Sequence, residues 1–121
     1  VKTYLINHLR IPGDVPNDAA LDYLDQVEAT VAPYEGKWLA MGPGTVAEGT
    51  WSGAVVLMEF PSREQADGWY HSAAYRKILP LRINNAISDV IFIDALPEGF
   101  TVKAYAADVR RQISATPHPA G

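Results

Sequence analysis

Cysteine is absent from this 121-residue chain, which removes disulfides, thiolate nucleophiles and zinc-thiolate sites and leaves the redox compartment undetermined. Basic clusters are equally scarce. The net charge is −4, and the only adjacent basic pairs are Arg76-Lys77 and Arg110-Arg111, so no nucleic-acid surface is expected. No apolar run comes near the roughly 20 residues of a membrane span, and the opening VKTYLINHLRI reads as a strand rather than a signal peptide. No membrane partner is expected, and the cytoplasm is the default location. Of the three histidines, His118 lies in a Pro-rich tail, and His8 and His71 stand far apart with no H-x-H or H-E-x-x-H spacing, so no metal is expected. The stretch GPGTVAEG lacks the Lys-Ser/Thr ending of a P-loop and the strand-to-helix setting of a dinucleotide fingerprint, so no cofactor is expected.

What is present is the composition of an ordinary globule, 48% hydrophobic and 20% charged, of a length that suits one domain with its own core. Residues 2–11 read as a strand ended by Pro12-Gly13. Asn17 or Asp18 can cap a helix whose Ala20, Leu24, Val27 and Val31 recur at helical spacing until Pro33 stops it. Residues 37–41 form a second strand and Ala54–Phe60 a third. Pro61 breaks that strand, and Ser62 with Gln65 three positions later marks the start of a second helix. An irregular link after Pro80 leads to a fourth strand over 88–96. The order β-α-β-β-α-β is the split βαβ pattern of a ferredoxin-like α+β fold with a four-stranded antiparallel sheet.

The strands are apolar on both faces, and two helices cover only one face of such a sheet. A second copy of the sheet, related by a two-fold axis, is the economical cover for the other, so a homodimer is expected.

One segment concentrates chemistry-bearing side chains: EFPSREQADGWYHSAAYRKILPLR, residues 59–82. A strand ends in Glu59-Phe60-Pro61-Ser62, a helix reaches Trp69-Tyr70 and Ser72, and Tyr75 and Arg82 follow. With these residues the region from about Tyr4 to Gly99 resembles the proteins of domain-of-unknown-function family thirteen-thirty, within the dimeric α/β-barrel superfamily. The resemblance implies that fold and a dimer. It also points to the wider superfamily's cofactor-free monooxygenases, muconolactone-isomerase-like enzymes, cyclases and lyases. Two positions depart from the family pattern: Ser72-Ala73-Ala74-Tyr75 stands where Ser-Pro-Glu-Tyr is usual, and Glu35-Gly36-Lys37 where Gly-Gly precedes the basic residue. No role of the missing Glu carries over.

On one uninterrupted helix from Ser62, the residues Ala66, Trp69, Tyr70, Ala73 and Ala74 share an inward stripe. Core packing is the first account of the stripe; a pocket with aromatic walls and a small-residue floor fits the same facts, and a buried indole N–H and phenol O–H each need a polar partner. Arg82 sits in an apolar link with no acid nearby in sequence. It is either a solvated loop residue or a guanidinium holding a carboxylate or enolate oxygen. Glu59 is its expected structural partner, or a base if left in an apolar pocket. His71 is expected at a helix end, and His8 on the strand-one face shared with Tyr4, Ile6 and Arg10.

The reading assigns Arg82, Tyr70, His71 and Glu59 as candidate catalytic residues, and Trp69, Ser72, Tyr75, His8 and Asn84 as candidate substrate contacts. The expected function is cofactor-independent acid-base chemistry, of isomerase, cyclase or lyase type, on a partly apolar, oxygen-rich small molecule. A cofactor-free monooxygenase of an aromatic or polyketide-like substrate is one alternative, and a non-catalytic ligand-binding or structural dimer another. Residues 1–98 are expected to form the domain, and 99–121 an extension. In that extension Val102, Tyr105, Ala106, Val109 and Ile113 predict an amphipathic helix over about 101–114, serving as a lid, a dimer arm or a packed arm, followed by a disordered TPHPAG tail.

Overall fold

The computed structural model describes residues 1–115; the expectation for TPHPAG lies outside the described residues. Alternating side chains build four strands: β1 (Thr3–Arg10), β2 (Lys37–Gly42), β3 (Ala54–Phe60) and β4 (Ile87–Asp94). They form one antiparallel sheet in the order β2-β3-β1-β4. The helices are α1 (Asp18–Val31), α2 (Arg63–Tyr70), α3 (Ala73–Ile83) and α4 (Val102–Ala115). Order and pairing make this a ferredoxin-like α+β fold. Among the described residues no helix is long and apolar enough to cross a membrane.

The core lies between the sheet and α1, α2 and α3. Leu5 on β1 and Met58 and Phe60 on β3 meet Val27 and Val31 of α1 and Trp69, Tyr75, Ile78 and Leu79 of α2 and α3. Gly36 permits close approach at the entry to β2: a Cβ there would stand 2.5 Å from Val31 Cγ1 and 2.7 Å from Phe60 Cε1. The opposite sheet face is apolar and open. Ile91 and Ile93 of β4 are 55% and 50% exposed there, beside half-buried Ile6 and Leu57.

Asn17 is the cap of α1, its side chain accepting from Ala20 N at 2.9 Å, and Ser62 Oγ caps α2 by accepting from Gln65 N at 3.2 Å. The Gln65 side chain returns to the cap, its Oε1 accepting from Ser62 Oγ at 3.3 Å, while its Nε2 donates to Glu35 Oε2 at 2.8 Å. Two expectations require correction. The helix from Ser62 is not continuous, because His71 leaves helical geometry and Ser72 caps a new helix, accepting from Tyr75 N at 3.2 Å and donating to Trp69 O at 2.7 Å. The register therefore restarts. Ala73 and Ala74 are exposed, and Tyr75, Ile78, Leu79 and Arg82 form the inward face of α3. Nor does Pro80 open an irregular link. Its ring faces outward within α3, and the helix runs on to Ile83, with Asn84 N donating to Pro80 O at 3.0 Å and Ala86 N to Arg82 O at 2.9 Å. Helix α4 forms where its apolar spacing requires, and none of its residues is buried.

Candidate functional site

Three helices and the sheet leave a cavity of about 240 Å³ between them. Its floor is the inward face of β1 and β3, including Leu5, Asn7, Val56 and Met58; α1 contributes Tyr23, α2 Trp69 and Tyr70, and α3 Tyr75 and Arg82. Leu24 and Met41, also in its lining, are 42% and 56% exposed, so the mouth lies between the middle of α1 and the end of β2.

The polar centre is a chain of three side chains. The hydroxyls of Tyr23 and Tyr75 lie 2.8 Å apart, and Arg82 Nη2 donates to the Tyr75 hydroxyl at 3.4 Å. The guanidinium carbon is 5.9 Å from the centre of the Tyr23 ring. Arg82 is only 9% exposed, and no carboxylate among the described residues forms an ion pair with it. Burial works against its charge, but the Tyr75 and Tyr23 hydroxyls support it and leave the pKa above the ordinary arginine value. Burial is also the main reason that the Tyr23 phenol is pushed far above the ordinary tyrosine range; Tyr75 adds to the rise and Arg82 opposes it. The result is a charged donor beside two phenols in an apolar enclosure.

The aromatic wall is close-packed, with the Trp69 and Tyr75 ring centres 4.1 Å apart and those of Tyr70 and Tyr75 5.7 Å apart. The Trp69 indole finds its polar partner in the core rather than the cavity, donating to Thr30 Oγ1 at 3.0 Å. Its ring is a wall, and its N–H is structural.

Arg82, Tyr70, Trp69 and Tyr75 thus share one cavity, and the other sequence-chosen residues lie elsewhere. Glu59 is on the opposite face of the sheet, 3.4 Å from Lys2 Nζ, so it neither pairs with Arg82 nor faces the cavity; strand alternation places it with Val55 and Leu57 rather than with Met58. His71 is exposed at the end of α2, its Nδ1 3.0 Å from Arg76 Nη2. His8 is also on the open face. Its Nε2 donates to Ser52 O at 2.6 Å, its Nδ1 accepts from Arg10 at 2.7 Å, and its ring stacks on Trp51 at 4.1 Å, which fastens the loop over 43–53 to β1. Ser72 is the cap of α3, and Asn84 is exposed at that helix's end.

Two lining residues were missed. Tyr23 follows Ala20 by three positions and precedes Val27 by four, so the helical spacing that placed those two inward also placed the phenol there. Asn7 alternates with Thr3 and Leu5, all three buried, and a polar residue on a buried strand face is itself a signal.

The model of the family described as domain of unknown function DUF1330 matches residues 2–96. The chain belongs to the DUF1330 family. Comparison with curated proteins gives no match. Among solved structures, this DUF1330 chain is similar to RPA0582, a protein of unknown function from Rhodopseudomonas palustris, at 17% identity over 79% of this chain and 83% of that one, with a TM-score of 0.63. It is similar to a dimeric ferredoxin-like protein of unknown function from Thermobifida fusca at 12% identity, over 78% and 91% of the two chains, with a TM-score of 0.55. It is also similar to SnoaB, a cofactor-independent oxygenase from Streptomyces nogalater, at 8% identity over 81% and 96%, with a TM-score of 0.55. At these identities the likeness is one of fold.

Proposed function

We propose that this DUF1330 protein is a cofactor-independent enzyme that binds a small, largely apolar organic anion and protonates it. The observation that carries the reading is Arg82, a buried guanidinium at an apolar cavity with no acid to neutralise it. Such a group calls for an anionic ligand, because a buried charge without a counter-charge is costly. Among the described residues the cavity is lined by no carboxylate and no imidazole; the polar side chains there are Arg82, the tyrosines, the Trp69 indole and the Asn7 amide, and the rest is apolar. It therefore suits a substrate that arrives as an enolate or carboxylate rather than one whose carbon acid needs a protein base. Arg82 would hold the oxyanion. With Tyr75 accepting from Arg82 and, in one arrangement, from Tyr23, the Tyr75 O–H is free to deliver a proton to the substrate's carbon, and solvent at the mouth restores it. This is the ketonisation of an enolate: the enol gives up its O–H proton to solvent before the anion binds, the Tyr75 proton forms the new C–H bond, and solvent reprotonates the phenolate.

A second reading is oxygenation without a cofactor, favoured by the fold shared with an oxygenase described as cofactor-independent. There an electron-rich substrate anion would react with dioxygen, one oxygen atom entering as a carbonyl and the other leaving as water.

The working unit in either reading is a homodimer. The open apolar sheet face supports this, as does the fold shared with a protein described as dimeric. Light scattering at micromolar concentration should give twice the chain mass, and a monomer there would overturn it.

The functional test uses arylpyruvate enols, whose ketonisation is followed by absorbance, together with an oxygen electrode. Acceleration without oxygen uptake, lost in Arg82→Met and Tyr75→Phe, supports the isomerase reading. Oxygen uptake supports the second. Binding of arylpyruvate with neither change would make the protein a ligand carrier.

A further inference from the structure

Asn7 is the one side chain of the cavity floor whose chemistry the site above does not use. It is 6% exposed, and its Oδ1 has no hydrogen-bond partner. The register surrounds it with apolar neighbours: Leu5 and Leu9 lie two positions either way on the same face of β1, Val56 is opposite on β3, and Val90 is opposite on β4. All four line the same cavity. A strand position of this kind is ordinarily filled by Val, Ile or Leu, and a buried primary amide left unpaired among them lowers stability. Among the described residues nothing repays that loss: Asn7 caps no helix, and its side chain makes no hydrogen bond.

The cavity has polar chemistry in two places, the Tyr23-Tyr75-Arg82 chain on the helical roof and the Asn7 amide on the sheet floor. We infer that Asn7 is a specificity-determining residue that receives a hydroxyl of the ligand, so that the substrate class is a hydroxylated aromatic or alicyclic acid, anionic at one end and carrying a neutral hydroxyl away from it. A hydroxyl is the matching group because the amide can turn either its carbonyl or its NH₂ toward the cavity, and a hydroxyl pairs with both. A second anion would suit the carbonyl poorly, and a second apolar group would leave the amide unpaired. The cavity volume of about 240 Å³ exceeds the roughly 150 Å³ that holds a single benzene ring, which leaves room for a bicyclic body or a ring with a short side chain.

This inference rests on the reading of Arg82 as the anion site, and its test separates the two. The probes are 2-naphthoate and a set of its monohydroxy isomers, titrated calorimetrically into the full chain, the Asn7→Leu variant and the Arg82→Met variant. In the wild type at least one hydroxy isomer should bind about tenfold tighter than the parent acid, the gain expected of a hydrogen bond that pairs a buried group. In Asn7→Leu that ratio should fall to about one, with the parent acid bound as before within about twofold. The same variant should unfold at a higher temperature, since it replaces an unpaired amide by an apolar group of similar size. If Asn7→Leu does not fold, Asn7→Val, a residue suited to strands, should give the same loss of preference. Equal binding of parent and hydroxy acids by the wild type, or a preference that survives at position 7 variants, overturns the role of Asn7 and leaves Arg82 standing. No Arg82-dependent binding of any acid in the set overturns both.

Discussion

Tyr23 and Tyr75 reach each other from helices with two strands between them in sequence, and their hydroxyls meet at 2.8 Å beside a buried arginine. Of the two phenolic protons, one lies between the rings' oxygens. The other is not needed by the pair, and Arg82 already donates to Tyr75. An unclaimed proton beside a fixed positive charge is what distinguishes this corner of the core from ordinary aromatic packing.

Removing the charge should separate function from stability. Arg82→Met keeps the length and apolar stem of the side chain, and Glu59 is not its partner, so no acid is stranded. Unfolding in urea is expected to change by less than about 1 kcal/mol, since a buried ion without a counter-ion adds little stability. Calorimetry should show binding of aromatic acids lost. A destabilisation of several kcal/mol with binding intact would make Arg82 a structural residue.

Tyr23→Phe leaves the Tyr75 to Arg82 hydrogen bond in place and should cost about 1 kcal/mol, the net worth of one hydrogen bond. It should also alter the alkaline limb of stability. The folded pKa of Tyr23 is raised, so its contribution is complete below the unfolded value of about 10 and is lost as pH rises beyond it. Unfolding free energies measured from pH 8 upward should therefore decline less steeply in Tyr23→Phe than in the wild type, and parallel curves would contradict the burial of that phenol.

Gly36→Ala tests packing far from the cavity's polar end. The new methyl would press on Val31 and on the fully buried ring of Phe60, and overpacking of this kind costs about 1 to 3 kcal/mol. A lower urea midpoint with an unchanged denaturant slope is the expected outcome.

Residues 1–98 are proposed as a self-sufficient unit, because α4 buries none of its residues. Deleting residues 100–121 should leave soluble yield and the urea midpoint unchanged. Insoluble protein would assign the helix to the core.

Much of this architecture was legible because it rests on local rules. Alternation set the four strands, and the Asn17 and Ser62 caps set two helix starts. Arg82 was legible as an oddity but not as a helical residue, because Pro80 reads as a break. Proline forfeits one hydrogen bond and crowds one carbonyl, a cost that packing of Tyr75, Ile78, Leu79 and Arg82 on one face outweighs here. The restart at Ser72 was hidden for a related reason: a serine with the right neighbours serves equally as a pocket wall or as a cap, and only the hydrogen bonds to Tyr75 N and Trp69 O decide. Glu59 was assigned to Arg82 as the last acid of the third strand, in register with Val55 and Leu57, but that register puts it on the open face of the sheet, away from Arg82.

The Ser72 junction also makes the cavity's dimensions adjustable in one direction. The floor is a hydrogen-bonded sheet whose spacing is fixed by its ladder, while the opposing wall turns at Ser72, where the hydroxyl and the backbone N–H both donate to Trp69 O. Ala73 and Ala74, just past that residue, are exposed and are not part of the cavity lining. The angle between α2 and α3 is thus set by a junction outside the sheet, and a change there moves the cavity's roof without touching the ladder of its floor.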